Sequence, residues 1–117
     1  MIEIAAERVR ACALGAIIAS LRKQRRLTQI ELADRADSSQ GVISRFEQGE
    51  KIPSAYTLGR IATALKTTIG DIMDLTDQAV AATERAAESI CPGALARPNI
   101  DPTGLVRFVV AAREELR

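Results

Sequence analysis

Between Thr28 and Gly49 the sequence reads TQIELADRADSSQGVISRFEQG, two short helical patterns parted by a break of only about four residues. A link that short holds two helices at a steep angle, with other helices needed to brace them. Thr28-Gln29-Ile30-Glu31 has the form of a capping box: the Thr hydroxyl accepts the amide three residues on and the Glu reaches back. Ile30, Leu32, Ala33 and Ala36 supply a buried side, and the helix ends at Ala36-Asp37. Ser38 or Ser39 caps the following helix, which spans about 40–48 and stops at Gly49.

The flanks are helical too. Val9, Ala13, Ile17 and Leu21 recur every four residues, with Leu14 and Ile18 beside them, so a helix runs to about Arg25 and Gly15 is its weak point. Pro53 and Ser54 open another, with Leu58, Ile61, Ala62 and Leu65 as its core stripe, and Thr67 or Thr68 caps a short one holding Ile69, Ile72 and Met73. After Leu75 the stretch DQAVAATERAAESI is Ala-rich and helix-prone, CPGALARPNIDP reads as a linker or bend, and TGLVRFVVAAREELR is a last amphipathic helix with Leu105, Phe108, Val109, Ala112 and Leu116 on one side. Aromatic residues are only 3% of the 117, against 47% hydrophobic, so Ala, Leu, Ile and Val fill the core; this favours close-packed helices over a sheet sandwich.

Charge and chemistry narrow the function classes. The net charge is +1, so any acidic partner is met by a local cluster. Residues 14–76 hold nine Lys/Arg against seven Asp/Glu, and residues 77–117 five against six, which tilts the first part towards anions. With no His and only Cys12 and Cys91, no metal-ligand set is present, and both cysteines read as small reduced core residues. General acid–base and nucleophilic catalysis lack their usual groups, which argues against an enzyme and implies no cofactor. No apolar run is long enough to span a membrane and no signal peptide is visible, so the expected location is cytoplasmic.

A braced pair of helices suits the major groove of DNA, about 12 Å wide, which admits one helix. The second helix of such a pair offers Ser39, Gln40, Gly41, Ser44 and Arg45 outward, while Val42, Ile43 and Phe46 face the core. Arg45 suits a bidentate contact to guanine and Gln40 to adenine, and Gly41 lets the backbone come close. Lys51, just beyond the helix, is placed for phosphate. The run Arg22-Lys23-Gln24-Arg25-Arg26 has two readings: a phosphate patch, Arg25 included, or a solvated helix end whose cations complement the helix dipole.

The stretch Leu14–Leu75 resembles the Xre family, the helix-turn-helix domain of phage Cro and repressor proteins. The resemblance rests on LR before a basic tail, LTQIELA, ISRFEQG, the IPS loop and TLGRIATAL. It implies an all-α, five-helix Cro/repressor-type helix-turn-helix domain over 14–76. Outside the resemblance, the helical patterns add an N-terminal helical extension over 1–13 and an additional C-terminal helical segment over 77–117, suited to dimerisation or partner binding. The resemblance also implies a homodimer on a pseudo-palindromic site in double-stranded DNA. By the resemblance Gln29 stands where family members contact phosphate, and Arg22 and Glu47 match an ion pair tying the first helix to the third. Two residues depart from the pattern. Asp37-Ser38 replaces the usual Gly-hydrophobic turn, which predicts a looser turn and an acid set against phosphate.

The leading expectation is a dimeric, repressor-type transcriptional regulator. One alternative is an antitoxin-type autorepressor whose C-terminal segment holds a toxin or other protein. The other is an interaction adaptor that no longer binds DNA.

Overall fold

The computed structural model describes residues 2–90 and 102–115, and every regular element among them is a helix. The order is α1 (Ile2–Gln24), α2 (Gln29–Arg35), α3 (Gln40–Glu47), α4 (Ala55–Ala64), α5 (Ile69–Ile90) and α6 (Thr103–Glu115). The long α1 is the centre of the molecule: α3, α5 and α6 all lie against it, α2 packs on α3, and α4 bridges α2 and α5. Cys91, the linker CPGALARPNIDP up to residue 101 and Leu116, each singled out in the sequence, lie outside the described residues.

The starts of the short helices are set locally. Thr28, Ser39 and Ser54 each accept an amide of the first turn through the side-chain hydroxyl, and the capping box at Thr28 is complete. The Glu31 carboxyl is held below its ordinary range, first by the Thr28 backbone N–H and then by the Thr28 hydroxyl. Thr68 does the same work at α5, its hydroxyl accepting the Asp71 amide at 3.0 Å.

The stops follow one device. After each of α1 to α4 a residue turns left-handed: Arg26 (φ 57°), Asp37 (φ 54°), Gly49 (φ 77°) and Lys66 (φ 58°). In each case the next amide reaches back to the carbonyl three residues inside the helix end, as in Ser38 N to Ala33 O at 2.8 Å and Glu50 N to Arg45 O at 3.0 Å. This is the Schellman arrangement, and only one of its four instances uses glycine. The turn after α2 is therefore closed by two backbone hydrogen bonds rather than loosened by Asp37.

The core is continuous. Val9, Ala13, Leu14, Ile17 and Ile18 of α1 meet Leu32, Ile43, Phe46, Leu58, Ile61, Leu65 and Ile72. Two sequence expectations shift. Ile30 is 61% exposed, because Leu32, Ala33 and Ala36 fix the inward face of α2 and Ile30 points away from it. On α6 the buried residues are Val106, Val109 and Val110, with Leu105 and Ala112 half-buried and Phe108 70% exposed. α6 lies on α1 and α5 through a valine stripe turned away from Phe108.

The helices also run through the expected segment boundaries. α1 passes residues 13–14 and α5 passes 76–77 without a break; neither place holds a proline, and Gly15 beside the first does not interrupt α1. Along α5 the inward residues beyond the short-helix region are Thr76, Ala79, Thr83 and Ala87, small enough to let neighbouring helices approach closely. In the extension at the start of α1, Val9, Ala11, Cys12 and Ala13 are buried, and Arg10 joins Asp77 of α5 at 2.7 Å.

Thr76 donates to the Ile72 carbonyl at 2.8 Å, but the equally buried Thr83 hydroxyl has no partner among the described residues. A buried unpaired hydroxyl costs about 1–3 kcal/mol. Thr83→Val, which keeps the shape and removes the polar atom, is expected to stabilise the protein by about 1 kcal/mol, a rise of several degrees in a thermal melt. An unchanged or lower melting temperature would show that the hydroxyl is hydrogen-bonded.

Candidate nucleic-acid interface

The second helix of the turn, α3, is sharply two-sided. Ile43, Phe46 and Glu47 are buried, Val42 is half-buried, and Ser39, Gln40, Gly41, Arg45 and Gln48 are exposed. The angle between α2 and α3 comes from the closed turn at Asp37-Ser38 and from Leu32, Ala33 and Ile43 sharing one core. Residues four apart lie on one side of a helix, so Gln40, Ser44 and Gln48 form one outward row and Gly41 and Arg45 the next.

A chain of hydrogen bonds ties this outward face to the interior. The Arg22 guanidinium donates to both Glu47 oxygens, Nε to Oε2 at 2.7 Å and Nη2 to Oε1 at 3.0 Å, and also to the Leu27 carbonyl at 2.9 Å. The ion pair is 12% and 7% exposed, so both charges are largely out of water and need each other. Gln29 Nε2 donates to the same Glu47 Oε1 at 3.0 Å, and Gln40 Nε2 donates to Gln29 Oε1 at 2.7 Å. From α1 the order is Arg22, Glu47, Gln29, Gln40. The last amide stands on the exposed first turn of α3 with its orientation held by a buried charge pair.

The other sequence candidates take these places. The Ser39 hydroxyl accepts the Val42 amide at 3.3 Å as the cap of α3. Ser44 is half-buried and accepts from Gln48 Nε2 at 3.0 Å. Arg45 is exposed and makes no hydrogen bond or ion pair among the described residues. A Cβ added at Gly41 would meet nothing within 4 Å, so the surface there is open. Lys51 is exposed in the loop after α3. Arg25 stands apart from this group: its Nε donates to the Leu65 carbonyl at 3.0 Å, binding the end of α1 to the end of α4.

Two residues here carry roles that the sequence did not signal. Arg60 Nη2 meets Asp37 Oδ2 at 2.8 Å and lies 5.3 Å from the centre of the Tyr56 ring, so the acid in the turn has its own cation. The pair is 23 residues apart on different elements, with nothing in local spacing to reveal it. Gln48 joins the outward row four residues after Ser44, a spacing that could have found it. Gly15 also gains a reason. A Cβ there would lie 2.2 Å from the Phe46 carbonyl oxygen, so its absence lets α1 touch the last turn of α3.

The helix-turn-helix family model matches residues 18–72. Two similar solved structures are both of the clp gene regulator ClgR from Corynebacterium glutamicum. One shares 29% identity at a TM-score of 0.61, over 72% of this chain and 95% of its own. The other shares 31% identity at a TM-score of 0.56, over 60% of this chain and 90% of its own.

The chain belongs to the Xre/Cro-type helix-turn-helix family.

No curated protein matches it. The family match begins within α1 and ends within α5, so the first turns of α1, the later turns of α5 and all of α6 lie outside it. Among the described residues no three His, Cys, Asp or Glu side chains are grouped to hold a metal ion, and no helix is long and apolar enough to cross a membrane.

Proposed function

We propose that this chain is a non-enzymatic, sequence-specific DNA-binding transcriptional regulator that acts in the cytoplasm as a homodimer. The observation that carries this reading is the two-sided α3. Its inner face is locked into the core, and its outer face presents Gln40, Gly41, Ser44 and Arg45 with Gln40 oriented through Gln29 from Glu47. A pre-oriented amide and an exposed guanidinium on one helix are the donor set that reads adenine and guanine edges in the major groove. Gln29, Ser39 and Lys51 surround it as phosphate contacts that fix register. Residues 14–76 then form the DNA-binding unit, and residues 77–117 the dimer or partner segment. Two copies would set their α3 helices about 34 Å apart, one turn of DNA, on a pseudo-palindrome. Repression follows from occluding the promoter. The ClgR structures are those of a gene regulator, which supports the same class.

The test is selection of a binding site from random-sequence DNA, followed by titration of wild type and Arg45→Ala across salt. The wild type is expected to enrich a palindrome. The variant is expected to lose about 1–3 kcal/mol on that site while keeping its weak binding to unrelated DNA. Absence of salt-sensitive DNA binding by the wild type would overturn the reading.

The exposed Phe108 favours a second reading, an autorepressor antitoxin in which α6 holds another protein. A stable complex with a co-expressed neighbouring protein would distinguish it from a regulator that works alone.

A further inference from the structure

Beside the row of Gln40, Ser44 and Gln48 lies an open groove of about 480 Å³ in which α1, α2, α3 and α6 all take part. Its α1 wall is made of small side chains, Ala16, Ala19 and Ser20. Its charged and amide groups come from four elements: Arg22 and Lys23 of α1, Gln29 of α2, Glu47 of α3 with Gln48 at its C-cap, and Arg107 of α6. The charges do not balance. Among the described residues Glu47 is the one acid in the lining, and Arg22 already occupies both of its oxygens. Lys23 and Arg107 are exposed and make no hydrogen bond or ion pair among the described residues. Two unmatched cations, held on different helices around one groove, leave a site of positive potential for an anion.

We propose that this groove seats the DNA sugar-phosphate backbone, and that Arg107, on the helix appended beyond the family domain, extends the DNA footprint past the helix-turn-helix. This inference rests on the regulator reading above. Three features favour DNA over a small free anion. The groove is continuous with the proposed interface, because Gln29 lines it and also holds Gln40 at 2.7 Å. Its volume is several times that of one phosphate, and it is open rather than enclosed. Its two unmatched cations are solvated side chains able to follow a backbone, not buried donors shaped around one ion. α6 would thus serve two ends: its valines cover α1, and Arg107 reaches a phosphate that α2 and α3 leave uncontacted.

The experiment is salt-dependent binding of wild type, Arg107→Gln and Lys23→Gln to two duplexes. One carries the selected site with extended flanks, and the other is trimmed at its outer ends. Thermal melts accompany each variant, and since both side chains are exposed the melts are expected to match wild type. Each substitution is expected to reduce the slope of log affinity against log salt by about 1 on the long duplex, by the same factor for selected and unrelated sequences. On the trimmed duplex wild type and Arg107→Gln are expected to converge. Wild-type binding with unchanged slopes in both variants would overturn this inference and leave the regulator reading standing. Failure of the wild type to bind any DNA would overturn both. Saturable binding of inorganic phosphate that is lost in Arg107→Gln, with the DNA slope unchanged, would assign the groove to a free anion and overturn the proposal as well.

Discussion

Gly15→Ala is expected to lower stability by more than about 3 kcal/mol, a large part of the 5–15 kcal/mol that holds a domain of this size together. Mid-helix alanine normally improves on glycine by about 1 kcal/mol, so helix propensity predicts the opposite sign. Contact geometry decides it. The new Cβ would lie 2.2 Å from the Phe46 carbonyl oxygen and 2.8 Å from that of Glu47. Both are backbone atoms in the last turn of α3, and no rotamer change removes them. Relief requires α1 and α3 to separate, which opens the core around Ile18, Ile43 and Phe46 and displaces Glu47 from Arg22. Urea unfolding reads the stability, and DNA titration reads whether the surviving folded fraction still presents α3. An alanine variant as stable as wild type would show that the two helices are not in contact at this point.

Glu47→Ala is expected to be comparably damaging, about 3–5 kcal/mol, because it leaves the Arg22 guanidinium in a largely buried position with no anion. It also removes the acceptor that orients Gln29 and, through it, Gln40. DNA affinity should therefore fall even at temperatures where the variant remains folded. Replacing both partners, Arg22→Met with Glu47→Leu, removes the charge together with its need for compensation, and is expected to recover most of the stability. It should not recover the DNA affinity, since Gln29 still lacks its acceptor. A double-mutant cycle separates the two effects. Full recovery of binding in the double variant would show that Gln40 needs no positioning by this chain of hydrogen bonds.

The sequence was most informative where chemistry is local. Capping hydroxyls, apolar spacing and the break between α2 and α3 act within a few residues, and they placed α2, α3 and α4 to within a residue or two, whereas the short helix expected at Ile69 runs on to Ile90. The core stripes of α1 and α4 were legible for the same reason: periodicity is a property of one element alone. Ile30 misled because a seven-residue helix offers too few turns to define its buried side. Phe108 misled because a short apolar run such as LVRFVVAA fits two faces, and the partner surface chooses between them. Left-handed stops at Arg26, Asp37 and Lys66 had no glycine to announce them.

In the candidate interface, the outward residues of α3 follow from helix geometry, so Gln40, Gly41, Ser44 and Arg45 could be named in advance. Of the pairings between elements, Arg22 with Glu47 was signalled by the family resemblance, and the others were not. Arg60 with Asp37 and Gln29 with Glu47 join residues brought together only by the packing of separate elements, and the same packing sets Lys23 and Arg107 around one groove. By itself, then, the sequence determined an all-helical chain with a steep helix pair and the residues that pair turns outward, because those depend on spacing and capping. Only the tertiary structure decided why Gly15 must be small, which charges among the described residues are neutralised and which are left over, and that α6 borders the groove beside α3. Those outcomes depend on distances between elements, which no local pattern encodes.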